Sequence, residues 1–344
     1  MINTLRDVAS IIAPTTDERN IQLFLQQIAS KYSYASRQDY MGNLCIDIPG
    51  DSTFTLGIAA HADSVALQVT NIMPAGYLQF RAIGMMPYTL LGSKVLIHTE
   101  HEDIPGVIGF DTLSQYGQPK GLVFQDLFID TGLPPAIVNK KIHVGDLALF
   151  KPSIEFIDDK VVGTALDDRI GIALLVQLMD YYAKHPSPIQ IKLFSSVQEE
   201  VGLRGSLIAP CMAPCNAYAV IDVDYATDFP GAHQEDLSRI TLGEGPVVLF
   251  KADNSRNLRN LLMRTAESGS IPYQRGVSRS VYGGTDATSI QTMAEGGPIV
   301  NIGIPCRYMH SPIETCDIKD INYTFQLLTS FIESHDLLDY DTTQ

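Results

Sequence analysis

Apolar positions near the start of the chain recur with a helical period. Ile21, Phe24, Leu25 and Ile28 fall at the i, i+3, i+4, i+7 spacing of one buried face and predict a helix over 17–33, with Asp17 as its cap. The stretch before it, MINTLRDVASIIAPTTDERN, reads as a shorter amphipathic helix. Leu44–Ile48 and Thr55–Ala60 then read as strands, the second small and apolar enough to be buried on both faces. From about Val65 to Val162 the texture changes. Short β-rich runs (Ala66–Ile72, Tyr77–Ile83, Lys94–His98, Leu147–Phe150) are broken by Pro-Ala-Gly, Gly-Met-Met-Pro and Ile-Pro-Gly turns, without a helical period.

After Gly163 strands and helices alternate. Ile170–Tyr182, Ser255–Ser268 and Ile321–Ser334 read as helices; Ile189–Ser196, Tyr218–Ile221 and Val300–Ile304 read as strands. Such alternation implies an α/β layered sheet. The economical arrangement is one α/β domain, 1–64 and 163–344, interrupted by a small all-β domain over 65–162.

Composition narrows the class. The chain has 344 residues, 45% of them hydrophobic, enough for a sizeable core. Its 24 basic and 39 acidic residues give a net charge of −15, so no broad basic face is expected to hold a nucleic acid. No run approaches the ~18 apolar residues of a membrane span, and no export signal is visible. The five dispersed cysteines read as reduced thiols. The expectation is a soluble cytoplasmic protein.

Five polar clusters sit just after apolar strands or at helix starts: His61-Ala-Asp63, Asp167-Asp168-Arg169, Glu199-Glu200, Asp222-Val-Asp224 and His310. In an open α/β sheet, residues beyond the carboxyl ends of the strands face one crevice. Singly, each cluster has an ordinary reading as a cap, a solvated turn or a core histidine. Jointly they supply what two divalent ions need: nitrogen and oxygen ligands for each, and a carboxylate between them. His61 and Asp222 suit one ion, Glu200 and His310 the other, and Asp167 the bridge. Three carboxylates and one hydroxide then balance two 2+ charges. Asp63 can accept the second ring N–H of His61 and fix its tautomer. Glu199 is left free as general base. No HExxH helix occurs, so the single-zinc peptidase motif is absent.

With these residues on the page, the chain resembles the M42 family of metallo-aminopeptidases, of the glutamyl or tetrahedral aminopeptidase type. The matching segments run in order: AAHADS (59–64), TALDDRIG (164–171), SVQEEVGLRGS (196–206), IDVDYATDFPG (221–231), LGEGP (242–246), YGGTDAT (282–288) and IPCRYMHSPIE (304–314). The resemblance implies a zinc-exopeptidase-like layered sheet, and metal ligands at His61, Asp167, Glu200, Asp222 and His310 with Glu199 as base. It implies that the inserted β unit mediates dimerisation, that dimers build larger homo-oligomers, often of twelve subunits, and that the ions are zinc or cobalt. It also places the Gly283-Gly284-Thr285-Asp286 loop beside the substrate pocket. Ser64, Asp224 and the Thr-Thr-Asp-Glu run at 15–18 depart from the family pattern. None of them removes a ligand or the base.

The expected reaction is removal of N-terminal residues from peptides, with a hydroxide between the ions attacking the carbonyl and Glu199 moving the proton. The nearest rival is a two-metal carboxypeptidase or deacylase of the M20 type, which would recognise a carboxylate beside the cut. Glu199-Glu200 superficially invites a glycosidase reading, but that chemistry has no use for His61 and His310. A non-catalytic assembly protein would have lost some of these residues.

Overall fold

The computed structural model describes residues 1–111, 121–232, 238–277, 284–293, 297–338 and 340. Eight strands form its main sheet, in the spatial order Ala35–Gln38, Leu44–Ile48, Gln190–Ser196, Thr55–His61, Ala217–Tyr225, Ile299–Cys306, Val247–Leu249 and Gln274–Gly276. The central four, from Gln190–Ser196 to Ile299–Cys306, are mutually parallel. Their carboxyl ends therefore open on one side of the sheet.

Side-chain alternation divides those strands between two cores. Leu56, Ile58, Ala60, Ala219 and Ile221 pack under a layer of long helices: Ile2–Ala9, Arg19–Lys31, Leu166–Tyr182, Arg256–Ser268 and Ile318–Ile332. Leu166–Tyr182 is buried nearly all round, which fits its strongly apolar sequence from Ile170 onward. The opposite face carries Ala59, Phe194, Tyr218 and Val220, covered by the short helices Ala209–Met212 and Asp286–Thr292. His61, Asp222 and Asp224 share the parity of this thinly covered face.

Six strands, in the order Ala66–Ile72, Leu78–Ile83, Leu127–Asp130, Asp103–Phe110, Lys94–His98 and Leu147–Phe150, close into a barrel with its own apolar core. A seven-residue helix, Pro135–Lys141, lies between two of them, although the sequence shows no helical period there. Strands Ile154–Ile157 and Lys160–Gly163 fall within the 65–162 range, yet they stand outside the barrel and form a sheet with Glu314–Asp317.

Two further local expectations are corrected. The second helix begins at Arg19 with Glu18, not Asp17, at its N-cap, and Glu18 makes no side-chain capping bond. Its Oε1 instead accepts the N–H groups of Thr16 and Gln198. The strand predicted to end at Ile221 runs on to Tyr225, because its neighbour Ile299–Cys306 pairs with it as far as Cys306. Asp222 is therefore within a strand, not beyond it. Among the described residues no helix is long and apolar enough to cross a membrane.

Candidate active site

His61 closes the strand Thr55–His61, and Glu199-Glu200 lie in the turn after Gln190–Ser196. That turn is held from three directions. Asn43 Oδ1 accepts Val197 N–H at 3.0 Å, Glu18 accepts Gln198 N–H at 3.1 Å, and the Asp63 carboxylate accepts Glu199 and Glu200 N–H at 3.0 and 3.1 Å. His61 Nδ1 faces Asp63 through both the main-chain oxygen (3.2 Å) and Oδ1 (3.5 Å), leaving Nε2 turned toward the carboxylates. Burial alone would raise the Asp63 pKa, but His61 and the amides hold it below the ordinary carboxylate value.

The decisive contacts are at Asp167. Its Oδ1 lies 2.9 Å from His61 Nε2, which is itself 3.8 Å from Asp222 Oδ1. Its Oδ2 lies 3.2 Å from His310 Nε2, which is 3.4 Å from Glu200 Oε2. One carboxylate thus presents an oxygen to each of two imidazoles, and each imidazole has a second carboxylate beside it. All five candidate ligands converge, with Asp167 in the middle.

The electrostatics fit a cation site. Burial pushes Glu200 up to about 8, with the charge of Asp167 adding to it, and Glu200 Oε1 is buried without a hydrogen-bond partner. Burial and the Asp167 charge raise Asp222 well above the carboxylate range. Burial would raise Asp167 as well, but its bonds to the two histidines keep it low. Burial would lower His310, yet Asp167 and Glu200 raise it to about 10. Buried carboxylates this crowded call for positive charge, and the donor set of two imidazole nitrogens and three carboxylates suits borderline divalent ions. Among the described residues, two overlapping groups offer converging ligand atoms: His61 with Asp167 and Glu200, and His61 with Asp168 and Asp222.

Glu199 lines the cavity, and among the described residues its carboxylate makes no hydrogen bond or ion pair. Burial, then the charges of Asp222 and Glu200, raise it well above the ordinary range against the pull of His61. The cavity measures about 540 Å³. Its wall beyond the ligands includes Leu203, Tyr225, Leu249, Lys251, Gly284 and Met309.

The loop expected to contact substrate divides. Gly283 lies outside the described residues, and Gly284 and Thr285 line the cavity. Asp286 does not. As the first residue of the helix Asp286–Thr292 it turns inward, 2% exposed, and accepts a short hydrogen bond from Ser196 Oγ. Arg169 donates to the carbonyls of Ala62 (2.6 Å) and Ala13 (3.1 Å).

Two supporting residues, Glu314 and Gly84, are not among the sequence candidates, and a third, Asp168, is there only as part of its cluster, without a role. Glu314 is buried and accepts the backbone N–H of Asp167 at 3.1 Å and of His310 at 2.7 Å, tying two candidate ligands together. Asp168 accepts His61 N–H (3.3 Å) and Gly171 N–H (2.9 Å). Gly84, in the turn after a barrel strand, accepts a hydrogen bond from His310 Nδ1 at 2.6 Å. Glu314 sits inside a segment already singled out, IPCRYMHSPIE; a lone acid in apolar company was the available signal. Gly84 acts through its carbonyl and leaves no side-chain signal.

The profile of M42 glutamyl aminopeptidases matches residues 42–327. The chain belongs to that family. A putative aminopeptidase of Acetivibrio thermocellus is 30% identical over 338 residues, spanning 96% of this chain and 98% of that protein. The aminopeptidase APDkam598 of the archaeon Desulfurococcus kamchatkensis superposes with a TM-score of 0.89 at 28% identity, covering 98% of this chain and 96% of that one. The TET1 peptidase of Pyrococcus horikoshii, described as assembling into a tetrahedron or a large octahedral shell, superposes with a TM-score of 0.85 at 26% identity, covering 96% and 98%. This M42 member is a peptide hydrolase, and its fold is the family's mixed α/β architecture with a small closed barrel.

Proposed function

We propose that this M42 member removes N-terminal residues from peptides at a site for two divalent ions, zinc or cobalt, that share Asp167. The observation carrying this reading is the division of the Asp167 oxygens between His61 and His310. His61 and Asp222 would hold one ion, His310 and Glu200 the other. When bound, the ions supply Lewis acidity, lowering the pKa of water and polarising the scissile carbonyl. The protein's own groups do the rest. Glu199, free of other bonds, takes a proton from the attacking water and returns it to the departing amine. Asp63 keeps the His61 Nε2 lone pair toward the carboxylates and fixes the turn that carries Glu199, so it is a positioning residue. The Gly84 carbonyl does the same for His310.

The direction of cutting follows from the charges around the site. A carboxypeptidase needs a cation matched to the substrate's terminal carboxylate, usually an arginine. Arg307 is already paired with Asp228 through Nε and Nη2 at 2.7 and 2.6 Å, Arg169 is spent on backbone carbonyls, and Lys251, the one Lys or Arg lining the cavity among the described residues, acts on the Asp224 carboxylate. An α-amino group finds carboxylates instead. The enzyme should release the first residue of an unmodified tripeptide amide and leave the N-acetylated peptide intact. Faster cleavage of the acetylated peptide would favour the deacylase reading.

Three outcomes test the supporting parts. Gly84 has φ +76, and a Cβ there would meet Val65 Cγ1 at 2.8 Å and His310 Nδ1 at 3.5 Å. Gly84→Ala should therefore weaken one of the two metal affinities by about 10–100-fold, the range for residues that orient a ligand. Chelator competition reads this directly, and two unchanged affinities would remove Gly84 from the account. Second, ions bind deprotonated ligands, whereas His310 at about 10 and Glu200 at about 8 hold protons at pH 7. Metal loading should release protons and tighten as pH rises, seen as a binding heat that varies with the buffer's ionisation heat. A buffer-independent heat would contradict this. Third, self-association is assigned to the barrel, which exposes Met86, Tyr88, Leu91 and Val107. A variant with a short Gly-Ser linker in place of residues 66–150 should scatter light as a smaller species than the parent.

A further inference from the structure

Asp224 is the one cavity carboxylate that neither the ion site nor the proton transfer uses. It lies two residues beyond Asp222 on Ala217–Tyr225, on the same face of the sheet. Two residues of strand advance about 7 Å, close to the reach of an extended lysine side chain. Its seat is fixed by the neighbouring strand. Gly303 stands opposite Asp222, and a Cβ at Gly303 would come within 2.8 Å of Asp224 Cβ. Only a residue without a side chain leaves that room. The Asp224 carboxylate accepts a hydrogen bond from the Tyr225 backbone N–H but forms no ion pair within the described chain. Lys251, the one Lys or Arg lining the cavity among the described residues, acts on it electrostatically without closing a bridge. Lys251 sits on a flexible four-carbon stem after Val247–Leu249 and can swing aside, whereas Asp224 is anchored on a central strand. The lining of the same cavity includes Leu203, Leu249 and Met309, apolar side chains available to a methylene chain.

We propose that Asp224 is a specificity-determining residue, selecting substrates whose first residue carries a cationic side chain. The substrate's α-amino end lies at the ligand cluster, its side chain runs along the apolar wall, and its terminal cation meets Asp224. This rests on the aminopeptidase reading above and gives it a substrate class.

The test compares unblocked lysyl, leucyl and glutamyl p-nitroanilides on the metal-loaded full-length protein, with Asp224→Asn and Asp224→Lys variants beside the parent. Metal content and circular dichroism check that each variant is folded. The parent should prefer lysyl over glutamyl by at least about tenfold in kcat/KM, as expected when one buried charge decides between opposite partners. Asp224→Asn should lower the lysyl-to-leucyl ratio by about tenfold, mainly through KM, and Asp224→Lys should invert the order toward glutamyl. Binding gives a readout independent of turnover: lysinamide should inhibit the parent more strongly than the near-isosteric norleucinamide, and Asp224→Asn should erase the difference. A parent that favours glutamyl, or a lysyl-to-leucyl ratio unmoved by Asp224→Asn, overturns the assignment while leaving the aminopeptidase reading intact. Failure to cut any unblocked substrate overturns both.

Discussion

Glu199→Gln should slow peptide hydrolysis by 10² to 10⁴-fold, the usual worth of a general acid–base group, while the protein keeps its full complement of metal. The substitution preserves shape and removes basicity. The Glu199 carboxylate lines the cavity without a hydrogen-bond partner among the described residues, whereas that of its neighbour Glu200 lies against His310. Two adjacent glutamates thus have separable effects: Glu200→Gln should lose metal, and Glu199→Gln should lose turnover alone. Its amide N–H stays on Asp63, so the turn has no reason to move. Turnover in Glu199→Gln within a few fold of the parent would mean that another group carries the proton.

Asp167→Ala should be more damaging still, because under the proposed two-ion site it would remove a ligand from both ions at once. The oxygen facing His61 and the oxygen facing His310 belong to one side chain, so the variant should bind both ions more weakly by over a hundredfold. That exceeds the 10–100-fold typical of a group that merely orients a ligand. Glu314→Gln supplies the comparison. It touches the cluster only by accepting the amides of Asp167 and His310, and its loss should fall within that smaller range. Equal effects from the two substitutions would place Asp167 among the supporting residues.

Residues whose own side chains meet at the cluster were legible in the sequence. His61 follows a small apolar run, Glu199-Glu200 follow another, and parallel pairing brings those strand ends together. Asp63 was legible as the partner of the His61 ring, but its hold on the turn after Ser196 was not, nor were Glu18, Glu314 and Gly84, because these contacts run through main-chain groups far away in sequence. Glu18 holds the same turn, Glu314 holds the start of the helix at Leu166, and Gly84 reaches His310 across 226 positions. No local pattern encodes such contacts. The placing of Asp286 follows a related rule. Its neighbours Gly284 and Thr285 do border the cavity, but the helix that starts at Asp286 turns this carboxylate onto Ser196. In the fold, strongly periodic segments were readable, whereas Ala35–Gln38, exposed at every position on the sheet edge, has no apolar alternation to betray it. Asp222 was found but placed past a strand end, since Asp222 and Asp224 interrupt the apolar run that Val223 and Tyr225 continue.

The central claim is a pair of ions sharing Asp167, and anomalous diffraction from zinc- or cobalt-loaded crystals, with metal analysis of the same active preparation, addresses it most directly. Two ions per chain are expected, one among His61, Asp222 and Asp167, the other among His310, Glu200 and Asp167. A fully active preparation with a single ion per chain, or with a second ion that does not touch Asp167, would contradict it.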